Sequence, residues 1–225
     1  PPRSTPKPSS AASDVYKRQF ADPFIISYRK KNVCFVEDFD FKKLSSHNQK
    51  IVYNNIVSEN IVFCEGYDII NNPFFKKLPV TGSKGEFLIV KISNFSLNKI
   101  IKRSSIFIMP LENEHYWVGA TYDNLDKKNK PTQLKKEWLI EKLESIITLP
   151  YKIIDHKASM RPTTIDRRPM IGFHPDYKNI YLLNGLGSRG ILLAPTLSFW
   201  LYNYIYNGLP FPEEVDLNRF KEINI

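Results

Sequence analysis

Six residues near the end of the chain, Gly185-Leu186-Gly187-Ser188-Arg189-Gly190, spell G-x-G-x-x-G between an apolar strand-like run, Ile180 to Leu183, and a helix-like run. That is the setting of a dinucleotide-binding loop. In such a unit the helix leads to a second strand whose acidic residue holds a ribose. Here only residues 191–225 follow, and they pass through Gly208 and Pro210 into a polar, acidic tail. The dinucleotide reading fails, but the loop chemistry survives. Glycines let the main chain approach a ligand closely, and the N-terminus of the next helix favours negative charge. A tight strand-to-helix turn without a ligand fits the same spacing.

Upstream stands "ASMRPTTIDRRPMIGFHPD", residues 158–176. Arg161 is restrained by Pro162. A planar guanidinium clamps a carboxylate with two parallel hydrogen bonds, so Arg161 is a candidate substrate-binding group. A structural ion pair with an acid such as Asp166 is the competing reading.

The rest of the chain reads as α+β. Short β-type runs occupy Asn32 to Val36, Asn60 to Cys64, Glu86 to Ile92, Ser105 to Met109 and His115 to Thr121, followed by Tyr151 to Lys157 and Asn179 to Leu183. A helix fits Thr132 to Ile147, with Thr132 as cap and Leu134, Trp138, Leu139, Leu143, Ile146 and Ile147 on one face. A second helix runs from the glycine loop to about Asn207, with Pro195 expected to kink it or to open its main body. Residues 1–19, rich in Pro and Ser, read as a disordered or non-native leader.

Composition excludes several classes. Hydrophobic residues make up 42% and charged residues 24%, which fits a globular chain. The net charge of +9 invites nucleic acid as a partner, but the lysines are scattered in short pairs such as Lys42-Lys43, Lys76-Lys77, Lys127-Lys128 and Lys135-Lys136, which reads as solvated surface. Cys34 and Cys64 stand far apart, which fits neither a disulfide framework nor a thiolate metal site and suits a reducing cytoplasm. His47, His115, His156 and His174 lack metal-ligand spacing and read mostly as surface residues, so no metal is expected. No run reaches the length of about 18 apolar residues that a membrane helix needs.

"MRPTTIDRRPMIG" followed by "NIYLLNGLGSRGILLAP" resembles the C-terminal part of the FAD-dependent amine and amino-acid oxidoreductases, of which D-amino-acid oxidase and glycine oxidase are members. "IVFCEG" (61–66), "KGEFLIV" (84–90), "FIMP" (107–110) and "YWVGATY" (116–122) are similar to further family pieces in the same order. The resemblance implies an antiparallel substrate domain over residues 81–157. It also implies parts of a Rossmann-type FAD domain at 20–80 and 158–225, without the N-terminal segment that holds the ADP half. The chain would then retain only the flavin-ring contacts. It implies oxidation of the C–N bond of an amino acid or N-substituted glycine, with hydride passing to flavin N5 and no obligate side-chain base. The electron acceptor, O₂ or another, is not readable.

By position, Arg161 matches the family's carboxylate-gripping arginine. Phe107 replaces a substrate-facing tyrosine, and Tyr122 could restore a hydroxyl. Gly185, Leu186, Gly187, Ser188, Arg189, Gly190, Ile191 and Leu192 match the flavin-ring loop. Ser159 stands where one branch attaches flavin through cysteine, so the FAD is expected to be non-covalent. Two alternatives remain: the FAD module of an enzyme modifying a tRNA wobble uridine, which the basic charge favours, and a non-catalytic basic binding module.

Overall fold

The computed structural model describes residues 39–47 and 50–223. The leader at 1–19, the strand expected at Asn32–Val36 and Cys34 lie outside the described residues. The described residues divide into two compact units, one built from residues 82–161 with 188–191, the other from residues before Gly82 (39–47 and 50–81), residues 162–187 and residues 192–223.

The first unit is an antiparallel sheet carrying one helix. Its strands are β5 (Ser83–Lys91), β6 (Ile101–Arg103), β7 (Ile106–Pro110), β8 (His115–Gly119) and β9 (Lys152–Arg161), in the order β6-β7-β8-β5-β9. Helix α1 (Gln133–Glu144) starts at Thr132, whose hydroxyl accepts from the Lys135 amide at 3.4 Å. Leu139 and Leu143 of α1 are buried with Leu88, Val90, Ile106, Ile108 and Val118, the apolar residues of one sheet face. The opposite face gathers Phe87, Met109 and Trp117, with Phe107 against them. Central β5 is therefore covered on both sides, and its residues 83–88 are all buried, in place of an alternating pattern.

In the second unit β1 (Leu44–His47), β2 (Lys50–Tyr53) and β3 (Ile56–Ser58) form an antiparallel meander. The β2–β3 turn is the two-residue Asn54-Asn55, and Asn54 takes φ +51°. A second sheet orders β10 (Met170–Phe173), β11 (Ile180–Asn184) and β4 (Ile61–Phe63); β11 runs antiparallel to β10 and parallel to β4. Helix α2 (Gly190–Asn207) buries Leu197 and Leu201 against Ile171, Tyr181 and Leu183. It ends where Gly208, at φ +66°, donates its amide to the Tyr204 carbonyl.

The α+β class stands, with several differences in detail. Strand β9 extends four residues beyond Lys157, to the arginine before Pro162. Helix α2 already includes the residues before Pro195, from Gly190 on, where a start near the proline was one expectation. Leu134 is 72% exposed, off the apolar face assigned to it. At about 100° per residue it lies half a turn round the helix from Leu143. His174 is 7% exposed, and His156 is half-buried, so neither is the surface residue expected.

Candidate functional site

The candidate site is built from three neighbouring strand segments of the first unit. Arg161 closes β9, paired in register with Ser83, and two residues further along Ser159 pairs with Gly85. Paired residues of an antiparallel ladder share a face, so Arg161, Ser159, Gly85 and Phe87 project to one side of the sheet. The guanidinium is 3% exposed. Its Nη1 donates to the Lys84 carbonyl and its Nη2 to the Thr121 carbonyl, each at 3.0 Å. The Tyr122 ring lies over it, with the guanidinium carbon 4.0 Å from the ring centroid. Two carbonyls and one ring thus fix both the position and the plane of the fork. Asp166 pairs with Arg219, Nε to Oδ2 at 2.8 Å.

Of the expected substrate-binding residues, the structure brings Arg161 and Tyr122 together. Phe107 projects from the same face but belongs to β7, which is separated from β9 by β8 and β5. At the usual strand spacing that is about 14 Å across the sheet. Phe107 packs with Phe87, Met109 and Trp117, and the Lys102 ammonium sits 5.5 Å from its ring centroid.

Behind this face lies a charged cluster that the sequence reading missed. Lys84 and Glu86 point to the other side of β5, each 1% exposed, and their side chains meet at 2.9 Å. Lys84 also reaches Asp126 at 2.8 Å. The Glu86 carboxylate accepts from the Thr132 amide and hydroxyl at 2.8 and 3.0 Å, and faces His156 Nε2 at 3.0 Å. Burial alone would lower the Lys84 pKa, but Asp126 and Glu86 together raise it, so the ammonium stays charged. Burial holds His156 below the usual imidazole range, against the pull of Glu86. The cluster also fixes the main chain of the arginine site. The Glu86 amide donates to the Thr121 hydroxyl, and the Lys84 and Asp123 amides and carbonyls bond reciprocally. The available signal was two opposite charges spaced i, i+2 in an apolar strand, which places both on one face.

Gly185 and Gly187 take φ +73° and +52°, while Gly190 is not among the positive-φ residues and opens α2. The Asn184 side chain bridges the Gly66 carbonyl and the Gly185 amide at 2.9 and 2.7 Å, and the Gly187 amide donates to the Pro162 carbonyl at 2.9 Å. Residues 186–191 are half-buried and Leu192 is exposed. The first turn of α2 holds no acidic residue. A helix end without an acidic residue keeps its positive end uncancelled, which suits an electron-rich ligand.

A sequence profile of "FAD dependent oxidoreductase" proteins matches residues 15–202. The chain belongs to this family. It is 28% identical over 159 residues to glycine oxidase of Bacillus subtilis (strain 168), covering 68% of this chain and 42% of that protein. It is 23% identical over 190 residues to the tRNA 5-methylaminomethyl-2-thiouridine biosynthesis bifunctional protein MnmC of Legionella pneumophila (strain Corby), covering 71% of this chain and 28% of that protein. The crystal structure of iminodiacetate oxidase from Chelativorans sp. BNC1 superposes with a TM-score of 0.68 at 18% identity, covering 90% of this chain and 57% of that one. The chain therefore spans well under half the length of these curated relatives, and its fold corresponds to part of an FAD-dependent oxidase fold.

The cofactor of the family is FAD, and the loop's chemistry suits it. The two positive-φ glycines turn the chain from β11 into α2, and the helix end beyond them suits an electron-rich ring edge. Among the described residues no helix is long and apolar enough to cross a membrane. No group of three metal-ligating side chains comes together among them.

Proposed function

We propose that the polypeptide containing this chain oxidises the C–N bond of an amino acid or N-substituted glycine. The observation that carries this reading is the fixed fork of Arg161. Its plane is set by the Tyr122 ring and its edges by two main-chain carbonyls. A planar cation held in one orientation is complementary to a carboxylate, and it fixes the α-carbon of whatever carries that carboxylate. In this reading the unit of residues 82–161 is the substrate domain, and the remainder contributes to the FAD domain.

FAD, when bound, supplies the acceptor for the hydride that leaves the substrate's α-carbon. Residues 185–192 would hold its ring through main-chain groups, without a covalent bond to Ser159. Arg161 binds and orients the carboxylate, and Tyr122 keeps the guanidinium planar to it. Phe107, with Phe87, Met109 and Trp117, makes the same sheet face apolar. The chain itself supplies orientation and electrostatics, and no side-chain base is assigned.

The test is Arg161→Ala and Arg161→Lys in the full-length enzyme. Arg161→Ala should lower kcat/KM for the amino acid by about 2–5 kcal/mol in transition-state terms. Lysine, a point charge, should restore only part. Neither change should matter for the decarboxylated amine. Equal losses on both substrates would make Arg161 structural and remove the amino-acid reading.

A second reading is favoured by the MnmC relatives and the net charge of +9: the same chemistry on an aminomethyl group of a wobble uridine. Tight tRNA binding with a steep salt dependence would support it.

A further inference from the structure

Residue 85 lies in the middle of a central, fully covered strand, where glycine weakens the strand and offers no side chain to pack. Its backbone does not require glycine, because it is not among the positive-φ positions. What it requires is space. A β-carbon placed at residue 85 would come within 2.2 Å of Arg161 Nη2, 2.5 Å of Cζ and 2.7 Å of Nη1. All three contacts are to the planar head of the arginine. The guanidinium occupies the volume that any other residue at this position would fill.

We infer that Gly85 is a positioning residue for the carboxylate-binding arginine, an inference that rests on the reading of Arg161 just given. The strand without a side chain is the floor of a slot one guanidinium thick. The Lys84 and Thr121 carbonyls are its sides, and the Tyr122 ring closes it. The slot admits a flat cation and holds it in one plane. A methyl group on the floor would push the head back by about 1 Å or more to reach ordinary contact distance. The head ends a flexible side chain, so the fold can absorb that movement. The bound carboxylate would follow it, and with it the α-carbon.

The experiment is Gly85→Ala in the full-length enzyme, alone and combined with Arg161→Ala. Each variant is assayed on an amino-acid substrate and on its decarboxylated amine, and its unfolding midpoint is measured. Alone, Gly85→Ala should fold and should lower kcat/KM for the acid roughly 100-fold, the scale of a displacement of about 1 Å. The amine should stay within about twofold. In the Arg161→Ala background Gly85→Ala should leave the kinetics unchanged and should not lower the midpoint, because the atoms it collides with are gone. An equal loss on acid and amine overturns the inference, as does a Gly85→Ala effect that persists in full without Arg161. If Arg161→Ala is selective for the acid while Gly85→Ala is not, the slot fails and the carboxylate reading stands. If Arg161→Ala is itself unselective, both fall.

Discussion

The Tyr122 ring lies over the Arg161 guanidinium, 4.0 Å from centroid to Cζ, although the arginine is 3% exposed and the tyrosine 56%. An exposed aromatic side chain thus shields a buried cation, and its main chain is pinned on both sides by the pairing of Thr121 with Glu86 and of Asp123 with Lys84. A cation–π contact of this kind contributes about 0.5–2 kcal/mol. Tyr122→Leu should therefore raise KM for the amino acid by up to roughly thirtyfold. Tyr122→Phe keeps the stack and should cost less, the difference reporting any contact made by the hydroxyl. Steady-state kinetics of the two variants on one substrate checks this, and a larger loss for Phe than for Leu would contradict it.

Glu86 binds the strand to the helix above it. Its carboxylate accepts from the Thr132 main chain and hydroxyl while pairing with Lys84 and His156. Glu86→Gln removes the charge and leaves the buried ammonium with Asp126 alone. Breaking a buried pair costs about 3–5 kcal/mol, and the lower end is expected because Asp126 remains. Urea unfolding should show the midpoint fall without a change of slope.

The two loop glycines should differ under substitution. At Gly185 a β-carbon would stand 2.9 Å from Thr164 Cγ2 and 3.2 Å from the Arg168 carbonyl, on top of a left-handed backbone. At Gly187 it would meet only Thr163 Cγ2, at 3.5 Å. Gly187→Ala should cost about 1–2 kcal/mol, the penalty of the backbone alone. Gly185→Ala should cost more. Thermal unfolding of both variants decides the order.

Acid should weaken the fold through two histidines. His174 sits among Phe74, Phe75 and Tyr177, and its Nδ1 accepts the Asp176 amide at 3.1 Å. Burial lowers its pKa, against the raising effect of Asp176. His156 is lowered for the same reason. With folded pKa values depressed, the unfolded chain binds protons first. The contribution is full above about pH 6.5 and is lost as pH falls through the folded values. Denaturant midpoints at pH 7.5 and 5.5 should differ, and His174→Gln and His156→Gln should each narrow the gap.

Much of this was readable from the sequence where one residue type has one use. Thr132 before an apolar period of 3.6 announced α1, and Arg161-Pro162 drew attention to the arginine that the structure buries under Tyr122. The β2–β3 hairpin was missed although Asn54-Asn55 between Ile51-Val52-Tyr53 and Ile56-Val57 is a turn signal. The end of β9, "ASMR", was missed because a polar face hid its alternation. The Lys84–Glu86 cluster was illegible for another reason. Charged residues read as surface until a helix and four partners are seen to cover them.

Strand β5 carries two incompatible environments on consecutive residues. Lys84 and Glu86 face the charged cluster, and Gly85 between them faces the guanidinium. Because side chains alternate with a period of two, the addition or loss of one residue between Ser83 and Glu86 would exchange the faces. It would drive an ammonium into the space reserved for a guanidinium and turn a glycine toward the carboxylates. This stretch can vary by substitution but not by length, and chimeras of related chains should be joined outside it.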